Sequence, residues 1–354
     1  MPVTPSIGLL GNVGAGPAEI MELARAAEGA GWAGAWMIEY EYDSFAFDQA
    51  IAMATSRIVT GSCISRFFTR HPLLVAETAT VIDLLAPGRF AIGLGSGGVS
   101  EPPPGDRAAG GARALKEVDP RVSLQRWGTT WERPVAQMRE YIEVIRLAVS
   151  GEAVDYSGDY YRFEGVKLSL TPSGHIPIYL GARLERMLHL GGRVADGIFL
   201  WLVGEGKTRE AVEVVQTAAL EAGRDPKAVR MGCLIPTCVS DDGGVARRAM
   251  RGYLVDFYLG RAAYSQVLAE SGFPEAGEQV RLNVTRGDNQ AAAACIPDDA
   301  LDQLAISGTP ADSRSLLSDW AERGIDLPVL YVFPADEDWP GAYRKAIVDL
   351  APGG

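Results

Sequence analysis

A repeated alternation limits this chain more than anything else in it. Short apolar runs closing on Gly, Ser or Thr are each followed by an amphipathic stretch, eight times in 354 residues. Alternation of this kind restricts a chain to α/β architectures built on a parallel sheet. The runs Ile7–Leu10, Ala33–Glu39, Ile58–Ile64, Phe90–Leu94, Ile176–Leu180, Gly197–Leu202, Arg230–Ser240 and Leu327–Phe333 read as strands. Between and after them, Pro17–Ala30, Phe45–Thr55, Pro72–Leu85, Pro134–Val149, Glu185–Arg193, Arg209–Ala222, Ala311–Arg323 and Trp339–Leu350 read as helices, several with Pro in the first turn. Eight such units predict a (β/α)8 TIM barrel rather than a doubly wound sheet. Pro236 lies inside the seventh strand, where a missing N–H suggests a bulge or a strand end. Gly98–Arg133 and Gly260–Pro297 break the rhythm and exceed ordinary loop lengths. Both are expected as insertions near the C-terminal face of one domain spanning 1–354, forming a lid or wall.

Charge and composition remove several classes of function. With 33 Lys+Arg against 45 Asp+Glu the net charge is −12, which disfavours nucleic acid or an anionic membrane as partner. No apolar run reaches the length of a membrane span, and no basic-then-apolar leader opens the chain. The four cysteines are scattered, and Cys233 and Cys238 sit in an apolar run as core residues, so a reducing, cytoplasmic setting is expected. His71, His175 and His189 are too dispersed for a metal site, and none is expected. His175 precedes strand five at the far end of the barrel and His189 lies mid-helix, both structural in this reading. His71, before Pro72, either lines the site or is simply solvated. No Gly-x-Ser-x-Gly elbow joins a strand to a helix, which argues against a serine hydrolase.

In a barrel of this kind, chemistry sits on the loops that follow the strands. Strand two closes on Glu39-Tyr40-Glu41-Tyr42-Asp43, a carboxylate-rich and aromatic rim. Strand three closes on Ser62-Cys63-Ile64-Ser65, followed by Arg66-Phe67-Phe68-Thr69-Arg70-His71. Strand four runs into Gly95-Ser96-Gly97-Gly98, strand five into Gly181-Ala182-Arg183, and strand six ends at Trp201. The glycine run after strand four is a weak dinucleotide signal, because no helix begins at once and no ribose-binding acid follows at the expected distance. Small residues there either let backbone N–H groups approach a ligand or make a tight turn.

Several strings, taken together, resemble the bacterial luciferase-like superfamily in its branch using the deazaflavin coenzyme F420. Ile58–Pro72, with its Thr69-Arg70-His71-Pro72, resembles strand three and the following loop of methylene-tetrahydromethanopterin reductases. Pro87-Gly88-Arg89-Phe90 leading to Ile92-Gly93-Leu94-Gly95-Ser96-Gly97 resembles the approach to strand four. Gly158-Asp159-Tyr160-Tyr161-Arg162-Phe163 is similar to a short hairpin before strand five. Ile176-Pro177-Ile178-Tyr179, then Gly192-Arg193 and Ala195-Asp196-Gly197, resemble strands five and six of deazaflavin-dependent glucose-6-phosphate dehydrogenases. The likeness runs from strand one to about residue 240 and resumes in the last two elements.

The resemblance implies a non-prolyl cis peptide at Ser62–Cys63 or Cys63–Ile64, beneath the central ring of the cofactor. It implies that Ser65 hydrogen-bonds the ring edge and that Gly95, Ser96, Gly97 and Gly98 line the ring or ribityl side. Gly181, Ala182 and Arg183 would approach the phosphate, with Arg66 and Arg70 also available to the anionic tail. Trp201, Phe68 and His71 would face the substrate, and two copies would pair through the helices at Phe45–Thr55 and Pro72–Leu85. This sequence departs from the sugar-phosphate dehydrogenases where their strand two ends in an Asp-His pair, since Glu39 and Tyr40 stand here. Gly98 replaces their glutamate, with Glu101 three residues on. Oxidising an alcohol needs a base, so the expectation is an F420-dependent reductase. It would deliver hydride to an activated double bond of a small-molecule or peptide substrate. Tyr40 would donate the proton, and Glu39 would hold the ring or a neighbouring arginine. The alternatives are a reduced-FMN monooxygenase, for which His71 is the histidine available, and a non-catalytic barrel that binds a deazaflavin or an acidic small molecule.

Overall fold

The strands that the apolar runs anticipate all form, and eight of them close on one another. In chain order they are β1 (Ser6–Leu9), β2 (Gly34–Met37), β3 (Val59–Ser62), its continuation β4 (Ser65–Arg66), β5 (Phe90–Gly95), β6 (Val154–Ser157), β7 (Arg162–Val166), β8 (Ile178–Gly181), β9 (Gly197–Trp201), β10 (Arg230–Val239), β11 (Ile306–Gly308) and β12 (Leu327–Val332). Parallel pairing runs β1-β2-β3-β5-β8-β9-β10-β12 and returns to β1, a closed (β/α)8 barrel. The computed structural model describes residues 3–11, 16–40, 42–96, 133–261 and 264–352. The expected insertion at 98–133 lies outside these apart from Arg133.

Parallel strands covered by helices are buried on both faces, which is why they read as continuous apolar runs. The covering helices are α1 (Pro17–Gly29), α2 (Ser44–Ala54), α3 (Pro72–Leu85), α4 (Pro134–Ala148), α5 (Glu185–Val194), α6 (Glu205–Glu221), α7 (Gly243–Leu254), α8 (Val267–Glu270), α9 (Pro274–Thr285), α10 (Asn289–Ala294), α11 (Asp298–Leu304), α12 (Pro310–Glu322) and α13 (Trp339–Asp349). The barrel interior is filled by Trp36, Tyr179 and Phe199, whose ring centroids lie 5.0–5.4 Å apart. Facing strands carry glycines to make room. A Cβ at Gly197 would come 2.3 Å from the Tyr179 ring, and one at Gly61 2.8 Å from Trp36.

Three expectations change. The third strand is shorter than Ile58–Ile64, stopping at Ser62 and resuming as β4. The stretch 260–297, expected as an insertion outside the βα rhythm, is largely helical among its described residues, and the helix α7 precedes it where the sequence reading places no element. In α7 the buried face is Ala246, Met250 and Leu254 at four-residue spacing, a helical stripe interspersed with glycines and arginines. Pro236 stays inside β10 rather than ending it. Met231 and Thr237 direct their backbone toward β12, so alternation turns the missing Pro236 N–H to the other side. There β10 has finished pairing with β9 at Leu234 and has yet to meet β11 at Thr237.

Candidate active site

The rim is built where β2, β3 and β5 end. Strand β3 pairs Gly61 with Ala91, while β4 pairs Ser65 with Leu94, so one extra residue is accommodated between them. The cis peptide falls in that bulge, at Cys63–Ile64. The Ile64 side chain then lies across the ends of the next two barrel strands. A Cβ at Gly95 would sit 2.7 Å from its Cδ1, and one at Gly181 3.1 Å from its Cγ2. Close passage of β3 and β5 needs Gly93, because a Cβ there would fall 1.8 Å from the Ser62 carbonyl oxygen. Ser62 adds a reciprocal clamp: its Oγ donates to Gly93 O at 2.9 Å and accepts from Gly93 N at 3.1 Å.

Glu39 is the electrostatic centre of this corner. Its side chain is only 1% exposed, and its carboxylate accepts from Ser44 Oγ at 2.9 Å, Ser65 Oγ at 3.1 Å and the Arg66 amide at 3.2 Å. Arg70 reaches the same carboxylate at 2.9 Å, and Arg66 Nε lies 3.5 Å from it. Arg70 also donates to Ser65 Oγ at 2.8 Å and to Asp43 Oδ1 at 2.8 Å. Burial works against the Arg70 charge, but Glu39 and Asp43 outweigh it and hold its pKa above the ordinary value. Asp43 has a second task as the cap of α2, accepting from the Phe45 amide at 2.9 Å. Beneath them Asp48 is fully buried, bonded to the Thr60 hydroxyl at 3.0 Å, and burial raises its pKa well above 3.8. Tyr40 follows Glu39, half-buried, with its carbonyl accepting from Arg66 and its side chain packed on the cluster that contains Tyr331 and Phe333.

The remaining sequence-derived site residues divide into two groups. Gly95, Gly181 and Ile64 meet at the rim, with Ser96 following β5 and Ala182 buried beside Gly181. Arg183 forms an ion pair with Glu270 at the end of α8, tying the inserted helices to the end of β8, while its Nε is buried without a hydrogen-bond partner among the described residues. Trp201 lies against Tyr258 at 4.8 Å and Tyr331 at 6.0 Å. Phe68, by contrast, packs on Phe67, and the exposed His71 sets its ring edge-on to Tyr161 and Phe163 of the β6–β7 hairpin. Gly97, Gly98 and Glu101 lie outside the described residues. Arg66 and Arg70, considered for an anionic tail, turn instead onto Glu39, because they are the charges that make its burial tolerable.

Sequence reading places Tyr42 on the strand-two rim without a role for it, and passes over Tyr258, Tyr264 and Tyr331. The Tyr42 hydroxyl accepts from Gly11 N at 2.9 Å and donates to Ile38 O, joining the ends of β1 and β2. Tyr331 is reachable in principle from its place near the end of the last strand, whereas Tyr258 and Tyr264 sit in a stretch with no periodic signal. A cavity of about 500 Å³ lies at the opposite end of the barrel, lined by Arg146, His175, Asp196 and Arg224 among others. Its arginines are bonded to Asp196 and to backbone carbonyls, including those of Ile176, Gly192 and Ala195. That cavity lies at the strand starts, away from the rim where this fold carries chemistry.

Comparison with known proteins bears on this geometry. The model of a family described as luciferase-like monooxygenase matches residues 3–327. The chain is 27% identical over 311 residues to a 5,10-methylenetetrahydromethanopterin reductase of Methanolobus tindarius, covering 87% of this chain and 88% of that one. Among solved structures, the coenzyme F420-dependent tetrahydromethanopterin reductase from Methanopyrus kandleri superposes with a TM-score of 0.79 at 23% identity, covering 99% of both chains. An F420-dependent secondary alcohol dehydrogenase in complex with an F420-acetone adduct gives 0.74 at 18% identity, again over 99% of each.

Proposed function

Because the chain belongs to the luciferase-like monooxygenase family, we propose that it is an F420-dependent oxidoreductase working as a reductase on an activated double bond. The similarity to reductases and dehydrogenases named for that coenzyme supports the cofactor. The observation that carries the direction of reaction is the commitment of Glu39. A carboxylate that is 1% exposed and whose oxygens already accept from two serines, a backbone amide and two arginines is turned onto its own network rather than toward an alcohol's proton. Next to it, Tyr40 carries a proton at neutral pH without environmental help.

The rim fits a flat, anionic-tailed cofactor. Ile64, with Gly95 and Gly181 beneath it, offers an apolar floor for a ring, and the unpartnered Nε of Arg183 is a donor suited to a phosphodiester. When bound, a reduced deazaflavin supplies a hydride in a two-electron step. Tyr40 Oη then protonates the carbon left electron-rich by hydride addition. Glu39 keeps Arg66, Arg70 and Ser65 in place around it. A second copy of the chain completes the reading. Leu74, Thr78, Val81 and Leu85 form a stripe on α3 whose three aliphatic members are exposed, with Met53 exposed on the adjacent α2, a surface suited to the same surface of a partner.

Fluorescence titration tests the cofactor. Micromolar or tighter binding of F420 and weaker binding of FMN are expected; FMN binding tenfold tighter, about 1.4 kcal/mol, would instead favour the monooxygenase reading. Oxygen uptake with each reduced cofactor supplies the second readout, with little uptake expected for F420.

A further inference from the structure

We infer that Trp201, Tyr258, Tyr264 and Tyr331 form the wall that receives the substrate, and that it selects a flat aryl group conjugated to the bond being reduced. Two unusual pieces of backbone converge on this cluster. Trp201 is the last residue of β9, and the next residue, Leu202, holds φ at +48°, a left-handed conformation that side chains disfavour. Among the described residues it is the non-glycine residue in that region, and its side chain is buried at 1% exposure, so packing maintains it. Such strain concentrates where a fold must aim a side chain. The second piece follows α7, which widens into a π-turn over Val255–Leu259. Leu254 and Leu259, five residues apart, both enter the core, a spacing that suits the wider turn. Tyr258 is set to one side of that face, against the Trp201 ring at 4.8 Å and 70°.

Burial raises the pKa of the Tyr258, Tyr264 and Tyr331 hydroxyls, so all three stay neutral phenols, and Tyr258 and Tyr331 lie within electrostatic reach of each other. Tyr258 and Tyr264 meet edge-to-face at 5.8 Å. What the cluster offers a ligand is ring surface on Trp201, Tyr258 and Tyr264, all half-buried. Such a surface favours another aromatic ring, through offset and edge-to-face contacts, over an aliphatic group of similar polarity. Tyr40 packs on the same cluster, so a substrate held there lies beside the proposed donor. The placement rests on the reductase reading only for which bond is reduced; the wall itself is a binding site whatever the cofactor.

The test is calorimetric titration of the protein, saturated with oxidised F420 so that nothing turns over, with benzylideneacetone and with ethylideneacetone. These two enones differ only in phenyl against methyl. Wild-type protein is expected to bind the phenyl compound at least tenfold tighter. Trp201→Leu and Tyr258→Leu, made separately in case one fails to fold, are each expected to reduce that ratio to below threefold while F420 affinity stays within twofold. Equal binding of the two enones, or variants that keep the tenfold ratio, overturns the inference. A protein that takes no F420 but still discriminates the enones retains the wall and loses the reductase reading.

Discussion

The Glu39 carboxylate sits at 1% exposure among Ser44, Ser65, Arg66 and Arg70, while Tyr40 beside it is half-buried on an aromatic cluster. The two residues should therefore fail differently when changed. Tyr40→Phe is expected to leave F420 affinity intact and lower kcat by about 10²–10⁴-fold, the usual worth of a positioned acid, read by steady-state kinetics alongside cofactor titration. Glu39→Gln removes a counter-charge from the buried Arg66 and from the half-buried Arg70, which keeps Asp43. It should cost roughly 3–5 kcal/mol of stability, read as a lowered midpoint in denaturant, and weaken cofactor binding as well. An unchanged midpoint would show that the network does not support the fold. Asp48 offers a pH-dependent case. Burial raises its folded pKa well above 3.8, so the native state holds that proton more tightly than the unfolded chain does. Its contribution is present at the most acidic pH and is lost as pH climbs from about 4 through the raised folded value. Asp48→Asn does not titrate, so the Tm difference, mutant minus wild type, should grow between pH 4.5 and pH 8. A difference that stays flat over that range would mean that Asp48 ionises as it does in water.

Among the elements, the passage of β3 past β5 is the tightest joint. Gly93 and Gly95 lie two residues apart on β5, yet an added methyl would meet different neighbours. At Gly93 it would strike the Ser62 carbonyl at 1.8 Å, a backbone atom that can yield only if the strands part. At Gly95 it would press on the Cδ1 end of Ile64 at 2.7 Å, which can rotate away. Gly93→Ala is thus expected to lower Tm severely or prevent folding, whereas Gly95→Ala should fold with a modest Tm loss and bind F420 several-fold more weakly. Similar Tm losses in the two variants would show that the Ile64 floor is as rigid as the backbone. The strand and its glycines are legible in Phe90–Gly95; which glycine guards the backbone and which the ligand floor is set by the register with β3, and that depends on the extra residue at Cys63–Ile64.

For the whole molecule, the stripe on α3 carries the assembly proposal. Leu74, Val81 and Leu85 are 51%, 39% and 44% exposed, more apolar surface than a barrel helix at the boundary with water ordinarily shows. A homodimeric mass in multi-angle light scattering at micromolar concentration is expected, and Val81→Asp should shift it to the monomer without changing the far-ultraviolet circular dichroism. A monomeric wild type would remove the proposal. The two sides of the rim are joined only at this scale, since β2–β4 bring the charged network and β9, β12 and the inserted helices bring the rings.

Local pattern alone determined the barrel, because each βα unit advertises itself through burial on both strand faces and one helix face. It also marked the strand ends, Glu39, Gly95 and Gly181 among them, because the ends of parallel strands are where such folds expose side chains. Tertiary structure decided what those side chains do. Glu39 and Arg70 are 31 positions apart and meet because β2 and β3 are neighbours; no spacing in the chain distinguishes that pair from a ligand-binding pair. The wall beside Trp201 was hidden for a different reason. Tyr258 rides a π-turn and Tyr264 follows it, so neither repeats with the period of a helix or a strand, and only closure of the barrel carries them to the strand end they face.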